Sequence, residues 1–337
     1  MIARKLLPLF AVFLCGSLIY WRSVFRCTFA RRAVIITGGS RGLGLALARQ
    51  LAQEKADLAL VARDREELER AKAALSEYGS TVTIWPCDVR DEAQLRQTIQ
   101  EIGERFGRID VLINNAGEIV VGPFESMNRE DFERAMQIHF WAPLTGVFAA
   151  LPFLRERSSA WIINIASFGG RVAVPHLGPY CVSKFALAGL SDSLRAELIR
   201  EHISVTTVTP GLMRTGSHKN ALFKGAHRKE FAWFSLGAAN PLISMGADRA
   251  AKQIVNAARK RRASLTITLP AGAVVVAQAL FPNLVARVLG IVAKLLPGMP
   301  ARGGTEIHSG WESQSKLSPS ILTVLADRAT DQFNGKR

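Results

Sequence analysis

Cysteine is scarce in this sequence, and its placement excludes two classes of protein. The chain of 337 residues has four cysteines, Cys15, Cys27, Cys87 and Cys181, which form neither a CxxC pair nor a cluster with histidines. A disulfide scaffold and a structural zinc site are therefore not expected, and we predict no bound metal. With 27 glycines and 14 prolines, the chain is also neither collagen-like nor of low complexity.

Acidic residues are missing from two flanks of the chain. Residues 1–32 carry six basic side chains and residues 249–302 carry nine, with no acid in either flank, and together they account for the net charge of +15. A nucleic-acid-binding protein spreads its basic side chains over a folded face and interleaves them with aromatics. Here both basic flanks contain long apolar runs. This combination favours a membrane surface as the partner and predicts no nucleic-acid binding.

The N-terminal segment, residues 1–30, has the composition of a membrane anchor. Residues 6–21 are uncharged and apolar, but a transmembrane helix needs about 20 such residues. Four interpretations stay open: a short signal anchor, a shallow membrane segment, a secretory signal that lacks an A-x-A cleavage site, or a buried helix. If the run spans a bilayer, the four arginines between residues 22 and 32 place the main domain on the cytoplasmic side.

A second apolar segment covers residues 270–300. Arg287 and Lys294 are seven residues apart and share one helical face, while Leu, Val and Ile cover the others. This pattern indicates a helix that lies in a bilayer interface with its cations level with anionic headgroups. A helix that caps the domain or forms a dimer contact is the alternative. Residues 301–337 are polar and mixed in charge, which predicts a mostly disordered tail.

Between residues 31 and 269, short apolar strands alternate with helices. Strands that are apolar throughout and alternate with helices form a parallel sheet covered on both faces, so we predict one doubly wound α/β domain. The predicted strands are Ala33–Thr37, Asp57–Val61, Val82–Ile84, Val111–Ile113, Trp161–Ala166, Ser204–Val208 and Leu265–Thr268. The predicted helices cover residues 42–53, 66–77, 91–106, 131–154, 179–200 and 248–262.

The first predicted strand runs into a glycine-rich turn, which reads TGGSRGLG over residues 37–44. Glycines at such a turn let the backbone approach a pyrophosphate, which then lies on the free N–H groups of the following helix. The spacing G-x-x-x-G-x-G differs from the commoner G-x-G-x-x-G, and strand-to-helix turns use glycine for other reasons too. At the first βα turn of a parallel sheet, the pattern favours a dinucleotide.

Further motifs follow in a fixed order after later strands. They are Asn114-Asn115-Ala116-Gly117 after the fourth strand, Ser167 after the fifth, Tyr180 and Lys184 in YCVSK, and Pro210-Gly211 with Thr215 after the sixth. With the glycine turn, residues 31–268 resemble the short-chain dehydrogenase/reductase (SDR) family in its single-domain, classical form. The resemblance implies a Rossmann domain, NAD(P)-dependent oxidoreductase activity, and a homodimer or homotetramer formed through the two long helices that flank the fifth strand.

The residue types suit the reduction of a carbonyl. Hydride transfer leaves an alkoxide, which needs a proton from a positioned acid. A free tyrosine has a pKa of about 10 and needs a neighbouring cation to ionise near neutral pH. Lys184 lies one helical turn after Tyr180 and supplies that cation. The resemblance implies that Tyr180 is the acid, that Lys184 also holds the nicotinamide ribose, and that Ser167 donates a hydrogen bond to the substrate carbonyl.

One position departs from the family's pattern. The family has an asparagine in the helix after the fourth strand, which completes a proton relay through water to the lysine, and here the aligned residue is His139. A histidine donates and accepts hydrogen bonds, so it is able to continue the relay with a different pH dependence. The alternative is that His139 only packs. The sequence leaves both open.

Charge predicts NADP(H) as the cofactor in preference to NAD(H). NAD-preferring members have an acid at the end of the second strand, whereas here Arg63 stands there and Arg41 lies in the glycine turn. Two guanidiniums at one ribose favour a 2′-phosphate, and Asp64 either faces the ribose or caps the next helix. By resemblance, Asp88 binds the adenine amino group and Asn114 steadies the central strands. The predicted cofactor residues are Thr37, Gly38, Ser40, Arg41, Gly42, Leu43, Gly44, Arg63, Asp88, Val89, Asn115, Ala116, Gly117, Tyr180, Lys184, Pro210, Gly211 and Thr215.

The family's substrate-binding segment corresponds to residues 211–247. We expect its apolar side chains to form a wall and its cations to meet an acidic group or a headgroup, and a mobile lid with solvated charges is the alternative. The apolar set is Phe223, Phe231, Trp233 and Phe234, and the basic set is Lys224, Arg228 and Lys229. Together with the apolar flanks, this segment predicts a lipophilic ketone or secondary alcohol: 3-oxoacyl, sphingoid, retinoid or steroid-like.

Two other functions stay open. One is a soluble reductase of the same family whose apolar ends serve dimerisation. The other is a catalytically impaired, cofactor-binding scaffold or sensor at the membrane, for which His139 is the only support in the sequence.

Overall fold

The computed structural model describes residues 28–301, 303–315, 320 and 323–335. The predictions for residues 1–27 therefore lie outside the described residues. The strands are β1 Ala33–Thr37, β2 Asp57–Ala62, β3 Val82–Pro86, β4 Val111–Asn114, β5 Val120–Val121, β6 Ala160–Ile165, β7 Ile203–Pro210, β8 Leu212–Arg214, β9 Leu222–Phe223, β10 Ser244–Gly246, β11 Ser264–Ile267 and β12 His308–Ser309. The helices are α1 Gly42–Gln53, α2 Arg65–Leu75, α3 Glu92–Phe106, α4 Arg129–Arg155, α5 Gly178–Leu198, α6 Ser217–Asn220, α7 His227–Ala239, α8 Ala247–Arg259, α9 Leu269–Leu280, α10 Pro282–Leu295 and α11 Val324–Gln332.

Seven strands form one parallel sheet in the order β11-β7-β6-β4-β1-β2-β3. The seven predicted strands are confirmed with ends that differ by at most two residues. The central strands β1, β4 and β6 are buried along their whole length, because helices cover both faces. The chain reverses its direction of winding between β1 and β4, and in such sheets a crevice forms there at the carboxyl ends of the strands.

Two apolar cores flank the sheet, one on each face. Helices α1, α2 and α8 cover one face, where Leu47, Leu68 and Ile254 are buried. Helices α3, α4 and α5 cover the other, where Ile99 and Val147 are buried. The predicted doubly wound α/β domain is therefore confirmed.

Helix α4 changes its hydrogen-bond pattern at Gln137–Trp141, which form a single π-helical turn that contains His139. The helix begins at a capping box in which Asn128 and Asp131 each accept the other's backbone N–H. Among the described residues, α4 is the one helix long and apolar enough to cross a membrane. Its apolar stretch is 56% buried inside the protein, which is the environment of a core helix.

Helices α9 and α10 leave most of their apolar side chains exposed. In α10 the single buried side chain is Val285, whereas Leu284 and Ile291 are 59% and 61% exposed. A helix that caps the domain would bury its apolar face, so that alternative is wrong for α10.

The prediction of a mostly disordered tail is wrong for the described part of residues 301–337. Strand β12 pairs antiparallel with β9, and α11 packs against the domain. The physical reason is an apolar stripe at positions i, i+3, i+4 and i+7, formed by Ala326, Ala329, Thr330 and Phe333, all of which are buried. The short side chains of this stripe make it inconspicuous in a polar sequence.

Candidate active site

The predicted site residues lie along the carboxyl edge of the parallel sheet. Thr37 ends β1, Asp88 follows β3, Asn115 follows β4, Ser167 follows β6 and Thr215 follows β7. Because the carboxyl ends of parallel strands meet at one edge, residues that are far apart in the sequence face one region.

The glycine turn packs tightly against the loop after β4. A Cβ atom at Gly38 would lie 2.9 Å from the Ala116 Cα, and one at Gly44 would lie 2.0 Å from the Gly38 carbonyl oxygen. Gly42 has a φ of +57°, a conformation that favours glycine. The turn therefore brings the backbone N–H groups at the start of α1 to the edge of the sheet, and donors at the start of a helix suit the phosphates of a dinucleotide. Leu43 is buried in the first turn of α1.

Thr37 and Asn115 lock the turn to β4. Thr37 Oγ1 accepts the backbone N–H groups of Asn115 and Ala116 at 3.0 and 3.1 Å, and Asn115 Nδ2 donates to the Thr37 carbonyl at 3.0 Å. Asn114 Nδ2 donates to Asn164 Oδ1 at 2.8 Å and so links β4 to β6. The prediction that Asn114 steadies the central strands is confirmed.

Tyr180, Ser167 and Lys184 come together beside β6. The Ser167 hydroxyl lies close enough to the Tyr180 phenol to lower its pKa, and Ser167 Oγ accepts the Gly169 backbone N–H at 3.1 Å. Lys184 Nζ lies 5.8 Å from the centre of the Tyr180 ring and donates to the Ile165 carbonyl oxygen at 2.8 Å. Gly170 allows this packing, since a Cβ there would lie 2.6 Å from the Lys184 carbonyl.

The protonation states differ from the prediction that Lys184 lowers the pKa of Tyr180. Burial raises the pKa of Tyr180 to about 12, and the nearby Ser167 hydroxyl opposes that rise only in part. Burial also lowers the pKa of Lys184 to about 7, so the amine loses much of the charge that would acidify the phenol. The phenol therefore stays protonated at neutral pH, which is the form that donates a proton.

His139 is held by hydrogen bonds on both ring nitrogens. Its Nε2 accepts the Glu118 backbone N–H at 3.3 Å, and its Nδ1 lies 2.8 Å from Ser183 Oγ, which itself donates to the Tyr180 carbonyl at 2.8 Å. This chain of bonds requires a neutral ring with the proton on Nδ1, and burial lowers the pKa of His139 well below its usual value. Both ring nitrogens are thereby occupied by protein groups, which favours the packing interpretation of His139.

Arg41 and Ser40 meet an acid that the sequence analysis missed. Glu67 accepts hydrogen bonds from Arg41 Nη1 at 2.8 Å and from Ser40 Oγ at 2.9 Å, and its side chain is largely buried. Asp64 caps α2 by accepting the Glu67 N–H at 2.9 Å, so its carboxylate is engaged with the helix. Arg63 is exposed.

Asp88 and Val89 follow β3 with different surroundings. Arg90 Nη2 donates a hydrogen bond to Asp88 Oδ2 at 2.6 Å, and this hydrogen bond holds the pKa of Asp88 below its usual value. Val89 is buried beside Ala116.

The segment after β7 approaches the glycine turn. The Gly211 N–H donates to the Ile267 carbonyl at 3.2 Å, which fixes Pro210 and Gly211 at the edge strand β11. Thr215 is buried, and its carbonyl oxygen would lie 3.5 Å from a Cβ at Gly42. Gly117 borders His139, since a Cβ at Gly117 would lie 2.9 Å from His139 Nε2.

The predicted apolar wall forms a cluster behind Tyr180. Phe223, Phe231 and Phe234 are buried with Leu177 and Cys181, while Trp233 and Tyr180 pack against the cluster from its edge. Arg228 and Lys229 are exposed.

The prediction that Lys224 meets a substrate or a headgroup is wrong. Its Nζ lies 2.5 Å from Asp131 Oδ2, and the two side chains are 2% and 3% exposed. A charge so deeply buried needs a partner, and Asp131 at the start of α4 provides it.

Sequence reasoning missed other residues of the site for a common reason. Ser183, Glu118 and Glu67 all act on site residues that are distant in the sequence or on another element, so no local spacing marks them. Glu118 had one signal, since it directly follows the Asn-Asn-Ala-Gly motif and its carboxylate pairs with Arg134 at 2.6 Å. Among the described residues, no three His, Cys, Asp or Glu side chains are grouped to hold a metal.

Comparison with known proteins decides the family. The family model described as short chain dehydrogenase matches residues 32–224. The chain belongs to the short-chain dehydrogenase family. The SDR fold binds a nicotinamide cofactor and its members are oxidoreductases, which agrees with the glycine turn and the Ser167, Tyr180 and Lys184 group on the sheet edge.

Individual SDR relatives cover different parts of the chain. It is 37% identical over 195 residues to a fatty acyl-CoA reductase of Acinetobacter baylyi, over 57% of this chain and 66% of that protein, so it spans just under two thirds of that relative. It is 31% identical over 266 residues to the putative oxidoreductase SadH of Mycobacterium tuberculosis, over 78% of this chain and 92% of SadH. The crystal structure of levodione reductase superimposes with a TM-score of 0.63 and 30% identity, over 71% of this chain and 96% of that chain.

Proposed function

We propose that this SDR is an NADP(H)-dependent reductase of a lipophilic ketone that works at a membrane surface with its catalytic domain on the cytoplasmic side. The observation that carries the proposal is the placement of the half-buried Tyr180 side chain next to Ser167, with the Lys184 Nζ 5.8 Å from the centre of its ring. A reductase needs a proton donor at the carbonyl oxygen, and the Tyr180 phenol, whose pKa burial raises to about 12, holds its proton at neutral pH.

The side chains divide the work at the carbonyl. Ser167 donates a hydrogen bond to the carbonyl oxygen and orients it, and Tyr180 Oη gives that oxygen its proton as the carbonyl carbon becomes tetrahedral. Lys184, whose Nζ lies 5.8 Å from the centre of the Tyr180 ring, would return a proton to the phenol. A nicotinamide cofactor, when bound, supplies the hydride.

The donor set fits such a cofactor. The glycine turn has no space for a Cβ at Gly38 or Gly44, because its backbone packs against itself and the loop after β4. Its N–H groups would hold the pyrophosphate, Arg41 and Arg63 would face the 2′-phosphate, and Thr215 would lie near the nicotinamide end. The proposed preference for NADP(H) over NAD(H) depends on the guanidinium groups of Arg41 and Arg63.

A lipophilic substrate is supported by the aromatic cluster behind Tyr180 and by relatives whose names include a fatty acyl-CoA reductase. The classes that fit are 3-oxoacyl, sphingoid, retinoid and steroid-like ketones. An apolar substrate of this kind would reach the site from a bilayer surface.

Membrane association is supported by α9 and α10. Leu280, Phe281 and Leu295 are 65%, 58% and 81% exposed, and the charged residues of α10 are the cations Arg287 and Lys294. An apolar helix surface with cations at one side matches an anionic lipid interface.

Self-association is supported by a second exposed apolar surface, on α4 and α5. Trp141, Phe148, Val182 and Phe185 are between 46% and 52% exposed. Two long helices with such a face suit an isologous contact between two copies, so a homodimer or homotetramer is proposed.

Turnover of lipophilic ketones with NADPH tests the function. A panel of such ketones is incubated with the protein and NADPH, and loss of the reduced nicotinamide absorbance is followed. Tyr180→Phe is expected to lower kcat by at least about a hundredfold because the proton donor is lost, with NADPH binding retained. Tyr78→Phe, at the protein surface, is the matched control and keeps full turnover. A Tyr180→Phe protein that retains most of its turnover contradicts the assignment.

A further inference from the structure

The C-terminal segment, defined as residues 323–335, contacts the glycine turn directly. The Gly42 N–H donates to the Phe333 carbonyl oxygen at 3.0 Å, and Asn334 Nδ2 donates to the Ser40 carbonyl oxygen at 3.0 Å. Gly42 begins α1, so its N–H is one of the free donors of that helix, the donors that bind anions in such folds. In this structure a carbonyl of the chain itself takes that donor.

The segment is fixed along its whole length. Asn334 also donates to the Glu67 carbonyl at 2.9 Å and accepts from Arg70 Nε at 2.9 Å. Phe333 is 2% exposed, and the Arg49 guanidinium lies 5.4 Å from its ring centre. These contacts hold the segment against α1 and α2.

The same segment reaches the substrate-binding residues. Asp327 Oδ1 lies 2.8 Å from Lys219 Nζ, and Thr330 packs so closely on Gly216 that a Cβ there would lie 2.7 Å from the Thr330 Cα. Gly216 follows Thr215, which borders Gly42 from the other side. The C-terminal segment therefore joins the substrate-binding residues to the glycine turn and closes the space above Gly42.

We propose that the C-terminal segment is an autoinhibitory plug: its Phe333 carbonyl and the dinucleotide's phosphate compete for the Gly42 N–H, and the segment must leave for the cofactor to bind. The inference rests on the proposed function, because it requires a nicotinamide dinucleotide at this turn. A phosphate oxygen is charged and forms a stronger hydrogen bond than a neutral carbonyl, so a sufficient concentration of dinucleotide displaces the segment. We call the state in which the C-terminal segment has left the glycine turn the open state. The apparent Kd for the dinucleotide equals the intrinsic Kd divided by the fraction of molecules in this open state.

Variants of the full chain test the plug. Asn334 has a φ of +57°, so Asn334→Gly removes the amide contacts without straining the backbone. The double variant Asp327→Asn with Asn334→Gly also weakens the contact with Lys219. Arg328→Ala changes an exposed side chain of the same helix and is the matched control.

Binding of NADPH is measured by its fluorescence. The expected Kd for NADPH is lower by about two- to fivefold for Asn334→Gly, because the loss of one or two part-exposed contacts shifts the release of the C-terminal segment by that amount. The Kd is expected to be lower again for the double variant and unchanged for Arg328→Ala. A Kd that rises in the first two variants would instead mean that the segment supports the cofactor site, and this result, like an unchanged Kd, overturns the proposal.

Hydrogen exchange gives a second readout that needs no turnover. In the wild-type protein, saturating NADPH is expected to speed exchange of the α11 amides and to slow exchange in the first turn of α1, because phosphates replace the Phe333 carbonyl. Slower exchange in α11 with NADPH overturns the proposal. If neither NADPH nor NADH binds to any variant, the proposed function itself fails, which the binding curves distinguish from failure of the plug alone.

Discussion

The Arg41 guanidinium lies against the Glu67 carboxylate, with Nη1 at 2.8 Å from Oε1. One of the two cations that the sequence assigns to the 2′-phosphate is thus already paired with an acid. A phosphate at this place would have to share Arg41 with Glu67 and would be repelled by it. Glu67 therefore weakens the preference for NADP(H) that Arg41 and Arg63 provide.

Removal of the Glu67 charge is expected to increase the preference for NADPH over NADH. Glu67→Gln keeps the hydrogen bond from Ser40 and leaves the Arg41 charge without a carboxylate partner. Because a part-exposed ion pair contributes little, the ratio of the Kd for NADH to the Kd for NADPH is expected to rise by about two- to fivefold. Glu66→Gln is the control, because the Glu66 side chain is 90% exposed.

The double variant Arg41→Ala with Arg63→Ala is expected to weaken NADPH binding far more than NADH binding. Equal losses for both cofactors would refute the phosphate assignment.

His139 is expected to matter for stability and not for the pH dependence of turnover. Its ring is neutral and buried. The pH–rate profiles of the wild type and His139→Asn should therefore have the same shape between pH 5 and 8. His139→Ala leaves the Glu118 N–H without its acceptor and opens a cavity, at a cost of about 2–4 kcal/mol in the free energy of unfolding.

A double-mutant cycle with Gly117 checks this placement. A Cβ at Gly117 would contact His139 Nε2 at 2.9 Å, so Gly117→Ala should destabilise the wild type and be better tolerated when His139 is alanine. Urea unfolding of the four proteins measures the coupling. A pH-rate step that vanishes in His139→Asn would restore the relay interpretation.

Lys184 makes the free energy of unfolding depend on pH. The unfolded chain holds the lysine proton up to about pH 10.5, whereas the folded protein releases it near pH 7. The free energy of unfolding therefore rises from pH 7 to about 10, and this contribution is lost as the pH falls back to 7. Lys184→Met should be more stable than the wild type at pH 6, by a few kcal/mol in order of magnitude, and the gap should close toward pH 10. Urea unfolding at both pH values measures it. The exposed Lys252→Met should show no such trend, and a constant gap for Lys184→Met would contradict the burial argument.

The α10 helix is expected to bind anionic lipid through its two cations. Sedimentation with phosphatidylglycerol vesicles should exceed that with phosphatidylcholine vesicles, and Arg287→Gln with Lys294→Gln should weaken binding to the anionic vesicles by about thirtyfold, since each basic residue near such a surface contributes about 1 kcal/mol. The pair Lys72→Gln with Arg105→Gln removes two exposed cations on α2 and α3 and is the control. Equal binding by the double variant and the wild type would leave self-association as the role of the exposed helix.

The sequence predicts the sheet well because its signals are local. Strands such as β1 and β6 are mostly apolar and end at glycine or polar turns, so their bounds need no tertiary information. The motif residues Ser167, Tyr180 and Lys184 are brought together by the topology that the alternation of strands and helices dictates.

What the sequence could not predict depends on contacts between distant segments. Glu67 lies in a charged helix and has the pattern of a solvated residue, yet Ser40 and Arg41 cover it. The rise in the pKa of Tyr180 depends on how completely the surrounding chain excludes water, which residue spacing does not reveal. For α11 the apolar stripe is present, but its alanines carry too little apolar surface to stand out.

The buried ion pair of Lys224 and Asp131 limits which segments can be exchanged between related proteins to make a chimera. Lys224 follows β9 and Asp131 lies in the first turn of α4, and they are separated by 93 positions in the chain. A chimera that imports only one of them would carry a lone charge into the interior, at a cost of about 3–5 kcal/mol. Chimeras that alter substrate range must therefore transplant both partners together or replace both with apolar side chains of similar volume.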